Sequence, residues 1–127
     1  MLYVISITPD AIASRVPRLF DGELPILNIG TWGGRSCDAD IASDVIRLAE
    51  DSPFEAVVNA RFQGGYITRH YGRPADDVQA IQLEIAQRAY MDEATRDYDD
   101  AKASELRDTL ERMLSAFGNA AKRQYSR

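Results

Sequence analysis

The chain has 127 residues, 45% hydrophobic and 28% charged, enough to bury one domain's core and too apolar for a disordered chain. A net charge of −5 and a pI near 4.8 argue against a general nucleic-acid surface, which needs a basic face. The single cysteine, Cys37, excludes an intrachain disulfide; with no leader pattern and no apolar run near the roughly 20 residues of a membrane span, the expectation is a cytoplasmic protein with no membrane partner.

Leu2 to Ile7 (LYVISI) is apolar and rich in strand formers, which predicts a short strand. Leu24 to Thr31 (LPILNIGT) predicts a second strand, entering a glycine turn at Gly33-Gly34. Trp32 reads as a packing residue. The period then changes: Ile41, Val45, Leu48 and Ala49 share a helical face, with Ser36 or Asp38 as the cap and Pro53 at the exit. Ala56 to Asn59 (AVVN) predicts a buried strand, and Tyr66 to Tyr71 an extended segment after a glycine loop. From Val78 to Ile85 the apolar residues Ile81, Leu83 and Ile85 alternate with Gln82 and Glu84, the period of a half-buried strand with both polar residues on its other face.

Ala86 to Tyr98 is expected to turn helical. Ala101 to Phe117 predicts a stronger helix, with Leu106, Leu110, Met113, Leu114 and Phe117 as its apolar stripe. Gly118-Asn119 supplies a stop, and the final AAKRQYSR is expected to fray. The acidic stretch after Tyr90 reads as a solvated helix face with pairs such as Glu105 with Arg112 and Arg107 with Glu111. There is no internal repeat, linker or low-complexity tract, so residues 1–127 are expected to form one α/β domain.

The chemistry concentrates between Asn59 and Glu93. Gly64-Gly65 let the backbone approach a ligand closely, and Arg61 and Arg69 offer planar forks that match a carboxylate. His70 is the lone histidine, too few for a zinc site with a lone cysteine far away in sequence. It reads as a hydrogen-bonding loop residue. Cys37 reads as a small buried side chain at a helix start. The Gly33-Gly34-Arg35-Ser36 turn matches neither the P-loop nor the dinucleotide fingerprint and reads as structural.

Taken whole, NARFQGGYITRHYGRPADDVQAIQLEIAQRAYMDE resembles the N-formylglutamate amidohydrolase (deformylase) family of zinc hydrolases. VPRLFDGELPILNIGTWGGRSC, from Val16 to Cys37, looks like the family's middle segment, and the likeness runs from about Ile12 to Glu93. The resemblance implies a partial zinc-carboxypeptidase-like (phosphorylase/hydrolase-like) three-layer α/β fold with a mixed sheet and flanking helices, its amino-terminal part missing. It implies hydrolysis of N-formyl-L-glutamate to L-glutamate and formate. Glu84, in the Gln-Leu-Glu triplet, would be the general base and acid. Arg61 and Arg69 would clamp the substrate, with Asn59, Thr68 and Tyr71 in support.

The family's cofactor is zinc, and its ligands are not matched here. The family's Asp-Ala-His-Ser-Ile segment faces Asp10-Ala11-Ile12, the flanks without the His-Ser pair. Ala60 and Gln63 stand where the family has glycine and lysine. The expectation is a chain with no metal site, inactive alone, whose partner is a small N-acyl amino acid or dicarboxylate. The alternatives are a non-catalytic dicarboxylate-binding or interaction domain, and one half of a split hydrolase completed by an oligomer or a complementing chain.

Overall fold

The computed structural model describes residues 2–126. Its centre is β4 (Val78–Ala86), which pairs in parallel with β1 (Val4–Ile12) and antiparallel with β2 (Leu27–Gly30). A third short strand, β3 (Ala56–Val58), adds to β2 in parallel, so the mixed sheet runs β1–β4–β2–β3. The first strand reaches Ile12 instead of ending at Ile7, because β4 offers a nine-residue partner along its whole length.

The alternation predicted for β4 puts Ile81, Leu83 and Ile85 on one face with Leu27 and Ile29 of β2. That face is covered by α1 (Ala39–Glu50), through Ile41, Val45 and Ala49, and by α3 (Asp100–Tyr125), through Leu106, Met113 and Phe117. Phe117 is 1% exposed, and burial of such a side chain contributes about 2–3 kcal/mol. The other face carries the short α2 (Tyr66–Tyr71), so helices flank the sheet on both sides. Among the described residues no helix is long and apolar enough to cross a membrane.

Three expectations are corrected. Tyr66 to Tyr71 is a helix and not extended: Arg69 N–H donates to Gly65 O and Thr68 is fully buried, so packing on the sheet decides the conformation. Ala86 to Tyr98 is not helical; a 3-10 turn at Gln87–Ala89 leads into a hairpin of β5 (Met91–Asp92) and β6 (Asp97–Tyr98). The Asp92 carboxylate accepts from Ala94 N and Thr95 N, and Arg96 takes a left-handed φ of 65°, which closes the turn.

The third correction concerns the tail. Rather than stopping at Gly118, α3 continues to Tyr125, because Ala120 and Ala121 are buried and Tyr125 is anchored. The Tyr125 ring stacks on Tyr3 with centroids 4.7 Å apart, and its hydroxyl accepts from Gln79 Nε2 at 2.8 Å. On the solvent face Arg112 pairs with Asp108 at 3.3 Å, not with Glu105, and Arg107 reaches the Tyr98 hydroxyl at 3.4 Å.

Candidate active site

The second face of the sheet is polar. Gln82 and Glu84 point there, and strand register sets their neighbours. Thr8 and Asp10 of β1 stand beside them, and Gly30 and Asn28 of β2 stand on the other side. Two rows result across three strands: Asp10, Glu84, Asn28, and next to it Thr8, Gln82, Gly30.

The loop from Asn59 to Gly65 lies over the second row, and Gly30 is what lets it. A Cβ there would meet the Gln63 carbonyl at 2.6 Å, well inside contact distance. Trp32 N–H donates to that same carbonyl at 2.6 Å. Asn59, at φ 50°, holds the other end of the loop: its Oδ1 accepts from Thr31 N at 2.9 Å, and its Nδ2 donates to Thr31 Oγ1 at 2.8 Å. The loop then delivers Gly65 N–H to Gln82 Oε1, and Gln82 Nε2 donates to Glu84 Oε2 at 3.3 Å. Glu84 is oriented through this relay.

Glu84 is 5% exposed. Burial pushes its carboxyl above the ordinary 4.5, the Asp10 carboxylate raises it further, and the Gln82 hydrogen bond partly offsets both. Asn28 is equally enclosed. Its Nδ2 donates to Pro25 O at 2.8 Å and to Glu84 O at 3.1 Å, while its Oδ1 has no partner among the described residues. An orphaned buried acceptor costs about 1–3 kcal/mol. It sits in the same row as a carboxyl that keeps its proton to higher pH than usual. A hollow of about 240 Å³ opens alongside, lined by Thr8, Asp10, Gly65, Thr68 and Gln82 among others.

The residues singled out from sequence divide into groups. Thr68 lines the hollow and packs on Gly64, and Glu84 lies beside it in register with Asp10. Asn59 gives its side chain to Thr31 and Gly33 and shapes the loop. Arg61 is exposed on that loop, and Arg69 is exposed on α2 with Nε donating to Gly65 O at 3.4 Å. Neither arginine lines the hollow. Tyr71, also exposed, borders a different hollow with Val4, Ile67 and Arg73. Asp10, Asn28 and Gln82 complete the geometry around Glu84. Their signal was the strand pattern, but the lateral pairing that joins them is set by topology.

Elsewhere, the turn before α1 is internally bonded: Gly34 N donates to Thr31 O, and Ser36 Oγ to Ala80 O. Arg35 lies over the half-buried Trp32 ring at 4.1 Å. Cys37 is fully buried, and burial followed by the Asp38 charge pushes its thiol up to about 12. The zinc implied by the resemblance would need several grouped donors. Among the described residues no three His, Cys, Asp or Glu side chains are grouped to hold a metal ion. His70 is stacked on Tyr66 and edge-on to Tyr71.

A family model described as N-formylglutamate amidohydrolase matches residues 2–91. The N-formylglutamate deformylase of Pseudomonas aeruginosa is 44% identical over 111 residues, which cover 83% of this chain and 42% of that protein. That of Pseudomonas putida is 50% identical over 84 residues, 65% of this chain and 32% of the relative. The crystal structure of N-formylglutamate amidohydrolase from Ralstonia eutropha JMP134 superposes with a TM-score of 0.75 at 23% identity, covering 93% of this chain and 44% of that one. The chain thus spans less than half the length of these relatives.

Proposed function

Since the chain belongs to the N-formylglutamate amidohydrolase family, we propose that it carries the acid–base part of a site for hydrolysing N-formyl-L-glutamate or a related N-acyl amino acid. Glu84 supports this reading best: a buried carboxyl, raised above its ordinary pKa, oriented by Gln82 and flanked by Asp10 and Asn28. Such a group takes a proton from an attacking water and returns it to the departing amine nitrogen. The products are glutamate and formate. Thr68 walls the hollow and Asn59 shapes its loop, while Arg61 and Arg69, exposed outside the hollow, would reach the substrate carboxylates with bidentate donors and Tyr71 would act from the neighbouring hollow.

One histidine and one cysteine do not make a zinc site, so we infer that the chain alone binds substrate without turning it over. The test is formate release from N-formylglutamate by purified chain after zinc loading and desalting, alone and mixed with the remaining portion of the Pseudomonas aeruginosa relative. The expected result is no retained zinc and no formate from the chain alone, and formate from the mixture that Glu84→Gln abolishes. Enzyme-like release by the chain alone would overturn the inactivity, and a mixture indifferent to Glu84→Gln would overturn the role of Glu84. A second reading, a dicarboxylate-binding domain without chemistry, is favoured by Arg61 and Arg69 having no ion-pair partner among the described residues. Saturable N-formylglutamate binding lost in Arg69→Ala, with an inert mixture, would select it.

A further inference from the structure

We propose that Gln82 is a positioning residue: it ties Glu84 to the Gly65 end of the loop, so that the base is poised only while the loop lies on the sheet. The inference rests on the acid–base reading of Glu84 and adds what governs that group.

Alternation along β4 sets Gln82 and Glu84 on the same polar face. A glutamine amide has one accepting and one donating end, and turning it over exchanges them. On the strand alone, either end could face the carboxylate. The Gly65 N–H settles the choice, because it can only meet an acceptor. It donates to Gln82 Oε1, which leaves Nε2 to donate to Glu84 Oε2 at 3.3 Å. Among the described residues nothing else donates to that carboxylate; Asn28 Nδ2 goes instead to the Glu84 backbone oxygen at 3.1 Å.

Glycine makes the approach of Gly65 to the strand possible. A Cβ at Gly65 would stand 3.2 Å from Gln82 Oε1, and Gly64 takes a φ of 149°. Two contacts hold this end of the loop without Gln82: Trp32 N–H donates to Gln63 O, and Arg69 N–H donates to Gly65 O at 3.0 Å. The Gly65 donor therefore links the loop to the base, while other groups support the loop itself.

Burial and the Asp10 charge favour the proton on Glu84, and the Gln82 donor opposes both by favouring the charged form. The other groups around Glu84 leave that balance to Gln82. From β2 it meets the neutral Asn28, and α2 presents Thr68 and Tyr66 to the hollow. Arg61, Arg69 and His70 stand exposed outside the hollow, and α1 and α3 lie across the sheet. Lifting the loop frees the Gln82 amide to turn, and the carboxylate loses its one donor. Glu84 then holds its proton more firmly and is a poorer base.

The experiment is an NMR pH titration of the purified chain with isotope-labelled glutamate carboxyls, the Glu84 signal being assigned by its loss in Glu84→Gln. In the native chain this signal is expected to titrate above the ordinary 4.5. Gln82→Met, which keeps the side chain's length and removes its donor, should raise the midpoint. Gly65→Pro removes the loop's N–H at a φ of −80°, which proline accepts, and should raise the midpoint although Gln82 is intact. The two changes together should raise it no further than Gln82→Met alone, because they break one link. If Gly65→Pro does not fold, the Gly65 amide proton decides: it should follow the Glu84 midpoint in the native chain and lose that step in Gln82→Met. A midpoint unmoved by Gly65→Pro, or shifts that add in the double variant, would overturn the proposal. A Gln82 that only supports the fold would change stability and leave the midpoint in place. Formate release is a separate readout: its failure removes the acid–base role of Glu84, whereas failure of the titration removes only the link through Gln82.

Discussion

Glu84 is a carboxyl that the fold makes reluctant to ionise, and that has a thermodynamic sign. Below its ordinary 4.5 the group is protonated in both the folded and the unfolded chain. As pH rises the unfolded chain releases its proton first, so the folded state loses relative stability until pH passes the folded pKa. Glu84→Gln removes the ionisation while keeping a side chain that can meet Gln82. The variant is expected to be more stable than the native chain at neutral pH, by about 1.4 kcal/mol per pH unit of displacement, with the difference vanishing below 4.5. Denaturant unfolding at several pH values measures it, and a gap that widens toward acid pH would contradict the direction. Sequence alternation alone gave Glu84 its face. Asp10 and Asn28 were illegible as its neighbours because they come from 74 residues before it and 56 before it, brought alongside by strand order.

At the scale of elements, α3 shows tertiary packing overriding a local signal. Gly118 was a reasonable stop, yet Phe117, Ala120 and Ala121 are buried on either side of it and the helix runs on. A Cβ at Gly118 meets nothing within 4 Å, and its backbone is helical. Gly118→Ala is therefore expected to stabilise the chain by about 0.5–1 kcal/mol through reduced entropy of the unfolded state, read as a higher thermal midpoint. A loss of stability would mean that the helix breaks there. The same contrast sorts the other elements. α1 and β4 are long enough for burial to set a visible period, and β2 and β3 fall in short apolar runs bounded by turn residues, so these were readable. The helix of six residues at α2 and the two-residue strands of β5 and β6 are too short to show a period. Packing of Thr68 and the Asp92 turn decide them, and neither leaves a mark in hydrophobicity.

The whole molecule places its chemistry and its mass on opposite faces of one sheet. Glu84 and its loop occupy one side, and α1 and α3 build the main core on the other, with β4 contributing to both. Because β4 is shared, the two faces are expected to unfold together. Fluorescence of Trp32, whose N–H is bonded to the polar-face loop at Gln63 O, and circular dichroism, dominated by α3, should give coincident denaturant transitions. Separated midpoints would show that the loop layer opens independently of the core. The buried Cys37 at the start of α1 adds a further consequence. Its sulfur is sealed off and holds its proton, so an alkylating reagent gains access only in the moments when the core comes apart. Since no other sulfhydryl exists in the chain, the rate at which label accumulates is a direct stopwatch for how often the native structure breathes open.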